Sequence, residues 1–296
     1  MRIILLSYSA EGFAVLHGTC AAAGHDPVAY LHARSMRPRG PNRPEAGSVI
    51  DGLVKAIPPG MDLLLPGSTE RFAQVVAAYG ADLIVSYGFP WRLSRAVLQA
   101  TDFGAINIHT SMLPRYRGPM PVHWAIRNGD PHIGVTIHWM DEHFDTGNII
   151  VQEGGIPLDD DVVPAQLWRN VEALISRLLP VALDRAFAGF AGRPQAGADS
   201  SYAGWLEPRF SCINWQHKAR DIHNQVRTLR FASSGSCGPR ALVHDAWISV
   251  LRTSVEPTAG IEVSCADGPI WIVASSSASP PDETDQSVHP AEIKGQ

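Results

Sequence analysis

The 296-residue chain lacks most of the features that mark the commonest protein classes in a sequence. It has four cysteines, Cys20, Cys212, Cys237 and Cys265, widely scattered and with no C-x-x-C pair. That argues against a disulfide framework and leaves buried or incidental thiols, as in a reducing cytoplasm. No stretch reaches the roughly 18 apolar residues of a membrane span. The opening MRIILLSYSAEGF has one basic residue, a short apolar run and no small-residue cleavage site after it, so export and membrane insertion are not expected. Charge of one sign is also scarce. Lys+Arg 24 against Asp+Glu 29 gives a net −5, which argues against affinity resting mainly on neutralised phosphates. The first strand runs into Ser7-Tyr8-Ser9-Ala10-Glu11-Gly12, without the G-x-G-x-x-G spacing that lets a backbone approach a pyrophosphate. There is no Walker loop, no H-E-x-x-H and no G-x-S-x-G.

What remains is globular composition: 45% hydrophobic and 18% charged, in a chain long enough for one large domain plus a smaller companion. The first half alternates short apolar runs with helical patterns. Strands are expected at Arg2–Tyr8, Pro27–Leu31, Met61–Leu65, Ala81–Tyr87, Gly104–His109, Gly134–Met140 and Asn148–Gln152. Helical patterns fall at Glu11–Ala23, Arg71–Tyr79, Leu93–Ala100, Pro121–Asn128 and, longest, Pro164–Phe187. Such alternation predicts an α/β domain with a mostly parallel sheet covered by helices and a ligand at the carboxyl ends of the strands. Arg34–Gly47, rich in proline and arginine, reads as a surface loop. The Gly/Ala/Ser-rich stretch 191–204 reads as a linker between a domain over 1–190 and a β-rich subdomain over 205–275. That subdomain contains a helical pattern at Asp221–Leu229 and strands within Arg240–Arg252 and Gly260–Val273. Residues 276–296 are Ser/Pro/acidic, with little to bury, and read as a disordered tail.

The chemistry concentrates in AINIHTSMLPRYRGPMPVHWAIRNGDPHIGVTIHWMDEHFDTGNIIVQ, residues 105–152. Asn107 and His109 lie two apart at a strand end, so both side chains leave the same face. A carboxamide there can donate to a developing oxyanion while an imidazole moves a proton. Asp145, in an acidic turn between two strands, is placed to fix the imidazole tautomer and favour its charged form. A single Asn-x-His at a strand end is more often structural than catalytic. The proline-stiffened loop Ser111–Pro121 that follows shifts the balance, since it can present backbone groups to a flat polar ligand. Five of the twelve histidines (His109, His123, His132, His138, His143) fall in this block, but their spacing matches no common zinc pattern and no metal is expected. His138 shares a strand face with Thr136 and Met140 and reads as packed.

The block resembles the folate-dependent formyltransferase family. Asn107, His109 and Asp145-Thr146-Gly147 match its triad, Ser111 to Pro121 its proline loop with Met112 for a leucine, and Ala81 to Pro90 the segment lining its pterin slot. The resemblance covers residues 1–190 well and 200–275 loosely. It implies a Rossmann-like formyltransferase fold with an OB-like C-terminal subdomain, and formyl transfer from the co-substrate 10-formyltetrahydrofolate to a primary amine. By the same resemblance Asn107, His109 and Asp145 are catalytic. Tyr87, Gly88, Phe89, Met140 and Asp141 would frame the pterin, and Ser111, Met112, Leu113 and Pro114 would cover the folate. Phe89 fits a slot wall or plain core, and His109 enters as base or as imidazolium. Arg115 and Arg117 fit either a ligand anion or solvent.

The acceptor is the less legible half. Trp205–Ser275 has seven Lys/Arg and six Asp/Glu, a net +1, too little for a tRNA-sized footprint. A small-molecule amine is therefore expected, an amino-sugar nucleotide or an amino-acid derivative in a biosynthetic pathway. Methionyl-tRNA formylation is the alternative and hydrolysis of the donor the third reading. A cytoplasmic enzyme, compatible with a homodimer and with no DNA or membrane partner, completes the expectation.

Overall fold

A computed structural model of the chain describes residues 1–281. By contact the chain divides into two compact units. The first comprises Met1–Pro119, Gly134–Gly155 and Arg169–Tyr202. It begins with strand β1 (Arg2–Ser7), helix α1 (Ala10–Ala22) and β2 (Asp26–His32), followed by α2 (Ala46–Ala56), β3 (Asp62–Leu64), α3 (Thr69–Tyr79) and β4 (Leu83–Tyr87). A short α4 (Arg95–Leu98), β5 (Ala105–His109), β6 (His132–Trp139), β7 (Ile149–Pro157) and the long α6 (Pro164–Phe187) come next; α5 (Pro121–Arg127), between β5 and β6 in the chain, belongs to the second unit. The helix starts are read from local chemistry. Ser9 caps α1 by accepting from Gly12 N–H at 3.0 Å, and Ser68 does the same for α3 from Arg71 at 3.4 Å. Gly80 closes α3 in the left-handed region at φ 53°.

The larger sheet has the order β3-β2-β1-β4-β5-β6-β7. β1 pairs parallel with both β2 and β4, β2 with β3, and β4 with β5; β5 and β6 are antiparallel. The α/β class with a mostly parallel sheet is thus as expected. Chain order reverses beside β1, which puts a crevice at the carboxyl ends of β1 and β4. One face of the sheet packs Ile4, Leu6, Ile84 and Ala105 with Phe72, Phe89 and Trp91, all buried. Helix α2 is absent from the sequence expectation and starts inside the expected loop Arg34–Gly47; Ala46 and Leu53 are its buried residues.

The second unit comprises Met120–Ile133, Ile156–Trp168 and the described residues from Ala203 onward. It contains α7 (Ala219–Ala232) and an antiparallel sheet of β8 (Arg240–Val243), β9 (Ala246–Ser254), β10 (Ile261–Cys265) and β11 (Gly268–Ser277), in the order β10-β11-β9-β8. Its core is Ile213, Trp215, Ile222, Val226 and the inward residues of the strands. The units are not the contiguous ranges expected. Residues 120–133 and 156–168, inside the expected 1–190, go with the second unit because α5 packs on α7 and Arg227 of α7 donates to Leu158 O and Asp159 O at 2.8 and 2.9 Å. The expected linker is pinned to the first unit: Arg193 exchanges backbone hydrogen bonds of 2.8 Å with Ile149, and Ser201 Oγ accepts from Tyr116 N–H at 2.9 Å. Ser276 and Ser277, expected in the tail, pair with Ser249 and Ile248 as the end of β11, since strand pairing uses backbone groups that serine leaves free. The rest of that expected tail, from 282 onward, lies outside the described residues. Among the described residues, no helix is long and apolar enough to cross a membrane.

Candidate active site

Strand alternation builds the site. Ile106 and Ile108 of β5 are buried on one face, which turns Asn107 and His109 to the other. The antiparallel register sets Asn107 opposite His138 and His109 opposite Thr136, so β6 contributes a second imidazole to the same face. His138, expected to be merely packed, stands 3.3 Å from the Asn107 carboxamide through its Nε2. Cross-strand register is the signal that reveals it, and a single strand's alternation does not contain it.

Asp145 reaches this face from the turn between β6 and β7. It adopts φ 56°, a conformation that asparagine and aspartate tolerate better than most residues. Three contacts hold the turn. Asp141 accepts from Thr146 Oγ1 at 2.6 and 2.8 Å and from His143 N–H at 2.8 Å. Gly147 lies so close to Trp139 O that a Cβ there would overlap the carbonyl, which explains the glycine. Gln195 donates to Asp145 O at 2.9 Å and Gly147 O at 2.8 Å, while Arg117 holds the Gln195 amide oxygen at 3.0 and 2.7 Å. Gln195 belongs to the stretch whose composition suggested a linker, and no motif announced it.

The three expected catalytic residues converge, with His138 as a fourth. Asp145 Oδ1 lies 3.3 Å from Asn107 Nδ2, 3.6 Å from His109 Nδ1 and 3.5 Å from His138 Nε2. Its Oδ2 accepts from Gly118 N–H at 2.8 Å. Burial by itself would raise the Asp145 pKa. The charges of His109 and His138 and the hydrogen bonds from His138 and Gly118 outweigh it and hold the carboxyl well below the usual carboxylate range. The group is an anion at neutral pH.

Both His109 ring nitrogens face acceptors. Nε2 is 2.7 Å from Tyr116 O and Nδ1 faces the Asp145 carboxylate, so only the doubly protonated ring donates to both. His138 Nδ1 donates to Trp139 O at 2.7 Å, so its Nε2 accepts from Asn107 in the neutral ring and donates to Asp145 in the charged one. With His138 neutral, both N–H bonds of the Asn107 carboxamide have partners, Asp145 and His138. An oxyanion drawing on Asn107 must take a hydrogen from one of them.

The expected folate residues are placed less uniformly. Ser111 and Leu113 are buried and tied to β6, since Thr136 Oγ1 donates to Ser111 O at 2.7 Å and accepts from Leu113 N–H at 3.2 Å. Met112 is half-buried and turned toward Gly134 and Gly154, and Pro114 is half-buried. Phe89 packs in the core against Phe72 and Trp91, ring centroids 5.6 and 5.7 Å away, and half-buried Met140 joins the same cluster. Gly88 has φ 70° and lies beneath the Tyr8 ring, while burial raises the pKa of Tyr87. Asp141 is engaged in the turn described above. An open cavity of about 710 Å³ begins one residue further along, at Pro90 and Glu142. Its lining includes Arg37, Trp91, Arg92, Leu93 and Phe144, and the Glu142–Phe144 wall runs directly into Asp145. Sequence reasoning stopped short of these residues. Among the described residues, no group of three or more His, Cys, Asp or Glu is arranged to hold a metal ion.

Comparison with known proteins places the chain in a family. A family model for formyl transferases matches residues 1–183. The chain is 33% identical over 216 residues to a methionyl-tRNA formyltransferase of Pelobacter propionicus, an alignment covering 69% of this chain and 66% of the relative. It spans about two thirds or less of the length of the first curated relatives it matches. In fold it is similar to WlaRD, a sugar 3N-formyl transferase determined in the presence of dTDP and 5-N-formyl-THF. The TM-score is 0.63 at 17% identity, over 95% of this chain and 99% of the other. HypX from Aquifex aeolicus, in complex with tetrahydrofolic acid, gives a TM-score of 0.61 at 17% identity, over 94% of this chain and 44% of the other.

Proposed function

We propose that this chain, which belongs to the formyl transferase family, moves a formyl group from 10-formyltetrahydrofolate to the primary amine of a small molecule, an amino-sugar nucleotide or an amino-acid derivative. The observation that carries this reading is the convergence of a carboxamide and two imidazoles on one buried carboxylate oxygen, all within 3.6 Å of it. Attack of the amine nitrogen on the formyl carbon forms one C–N bond and moves the carbonyl electron pair onto oxygen. Asn107 supplies an N–H to that oxyanion, and His109 enters as imidazolium, balanced by the Asp145 carboxylate. As the second C–N bond breaks, His109 gives its proton to the departing folate nitrogen. The imidazole so formed takes the proton that the amine sheds, and the site returns to its starting state.

The cavity beside Asp145 suits a flat heterocycle with an anionic tail. Trp91, Leu93 and Phe144 offer apolar walls, and Arg37 and Arg92 offer cations. Tyr87, Gly88, Phe89, Met140 and Asp141 would then support those walls from behind, and Ser111, Met112, Leu113 and Pro114 would cover the ligand. Similarity to WlaRD over nearly the full length of both chains favours a small amine as acceptor. The methionyl-tRNA relative supports a second reading, with an aminoacylated tRNA as acceptor. Screening amines with 10-formyltetrahydrofolate, and following formylated product by mass, tests the proposal. A formylated small amine supports it. Turnover confined to charged tRNA, with retention on tRNA that falls steeply with salt, supports the second reading. Donor breakdown with no acceptor added points to hydrolysis.

A further inference from the structure

Ser86 of β4 is buried at 1% exposure, and its Oγ has no hydrogen-bond partner. Its place in the sheet makes that isolation informative. Leu6 of β1 pairs with Ser86, Ser86 with Asn107 of β5, and Asn107 with His138 of β6. Register partners stand on the same face of a sheet, so these residues form one row across four strands. Ser86 is the immediate neighbour of Asn107 on the side away from His138. The Asn107 amide nitrogen is engaged by Asp145 and His138, whereas its oxygen accepts no hydrogen bond from any described residue. A buried donor without an acceptor thus lies beside a half-buried carboxamide whose oxygen no described residue serves. An unpartnered buried hydroxyl lowers stability, and alanine at this strand position would carry no such penalty.

We propose that Ser86 is a positioning residue for formyl transfer, its hydroxyl donating to the Asn107 amide oxygen as the carboxamide turns to meet the oxyanion. This rests on the formyl-transfer reading given above. Asn107 must withdraw an N–H from Asp145 or His138 to serve the oxyanion, and that movement carries its oxygen away from its resting position. Ser86 holds the oxygen in the turned orientation. It also draws charge toward that end of the amide, which makes the N–H a stronger donor. Solvent does not reach Ser86 Oγ, so no water substitutes for it. Ser86 takes no part in bond making, and no proton leaves it.

The test compares the full-length wild type with Ser86→Ala and Ser86→Thr. For Ser86→Ala we expect an unchanged or higher Tm, unchanged KM for 10-formyltetrahydrofolate and for the amine, and a kcat reduced about tenfold, the scale of one hydrogen bond in the transition state. Ser86→Thr, which keeps the hydroxyl, should recover most of that loss. A wild-type kcat in Ser86→Ala, or a lower Tm with kcat and KM impaired together, would overturn the proposal. A second readout does not depend on turnover: the side-chain amide resonances of Asn107, followed by NMR as tetrahydrofolate is added. They should shift in the wild type and respond differently in Ser86→Ala. No shift in the wild type, or the same shift in both proteins, would contradict the role even if no amine were formylated by either.

Discussion

Replacing Asp145 by asparagine keeps the shape of the side chain and removes its charge. Gly118 N–H, 2.8 Å from Oδ2, keeps the amide oxygen on that side and puts the new NH2 group where Oδ1 stands. That NH2 then faces the Asn107 NH2 at the 3.3 Å which carries a hydrogen bond in the wild type, so donor meets donor. At 3.6 and 3.5 Å, His109 and His138 lose a carboxylate and gain a hydrogen-bond donor. The imidazolium that the proposed transfer needs has lost its counter-ion. Removing one electrostatic contribution of this kind from an oxyanion site costs about 3–4 kcal/mol, roughly a hundred- to thousandfold in kcat. Binding of tetrahydrofolate, which draws on the cavity beyond the turn, should survive.

Stability follows the same group. The native-state pKa of Asp145 is held below its unfolded value, so its contribution is fully present above about pH 4 and disappears as pH falls through the native value. Wild type and Asp145→Asn should therefore differ in Tm at neutral pH and converge on acidification. Steady-state kinetics, tetrahydrofolate titration and melting curves at several pH values read all three effects. Near-wild-type kcat in Asp145→Asn would refute the electrostatic role.

Three further outcomes are expected. Arg92→Ala should weaken tetrahydrofolate binding about fivefold, the scale of one exposed ion pair, while leaving the KM of the amine unchanged; titration of intrinsic fluorescence would show it. Arg227→Ala should destabilise the protein by about 2–4 kcal/mol in denaturant unfolding, because the carbonyls of Leu158 and Asp159 and the amide oxygen of Asn224 lose their donor. His123, packed edge-on to Phe231, is pushed by burial down to about 4. The unfolded chain takes up that proton near pH 6.5 and the native state does not, so stability falls with pH between those values. The stability difference between wild type and His123→Gln should accordingly be larger at pH 7 than at pH 5.

The convergence of Asn107, His109 and Asp145 was legible in the sequence because its elements are local. Asn107 and His109 share a strand face by alternation alone, and the Asp145-Thr146-Gly147 turn lies within one hairpin connection. The groups that complete the face are not local. His138 enters through the register of β5 with β6, and Ser86 through that of β4 with β5, neither of which one strand's pattern encodes. Gln195 buttresses the turn from a stretch whose Gly/Ala/Ser composition suggested freedom, yet side-chain and backbone hydrogen bonds fix it. The α/β class followed from periodic apolar runs. The partition of the chain did not, because α5 and residues 156–168 choose their unit through contacts with α7, far away in sequence.

Transfer of a carbon-13 formyl label from 10-formyltetrahydrofolate to an accepted amine, measured in a single turnover, tests the role of the Asn107–His109 pair most directly. Asn107→Ala and His109→Ala are predicted to bind tetrahydrofolate as the wild type does and to transfer the label at least about a hundredfold more slowly. Label transfer at the wild-type rate in His109→Ala would contradict the account.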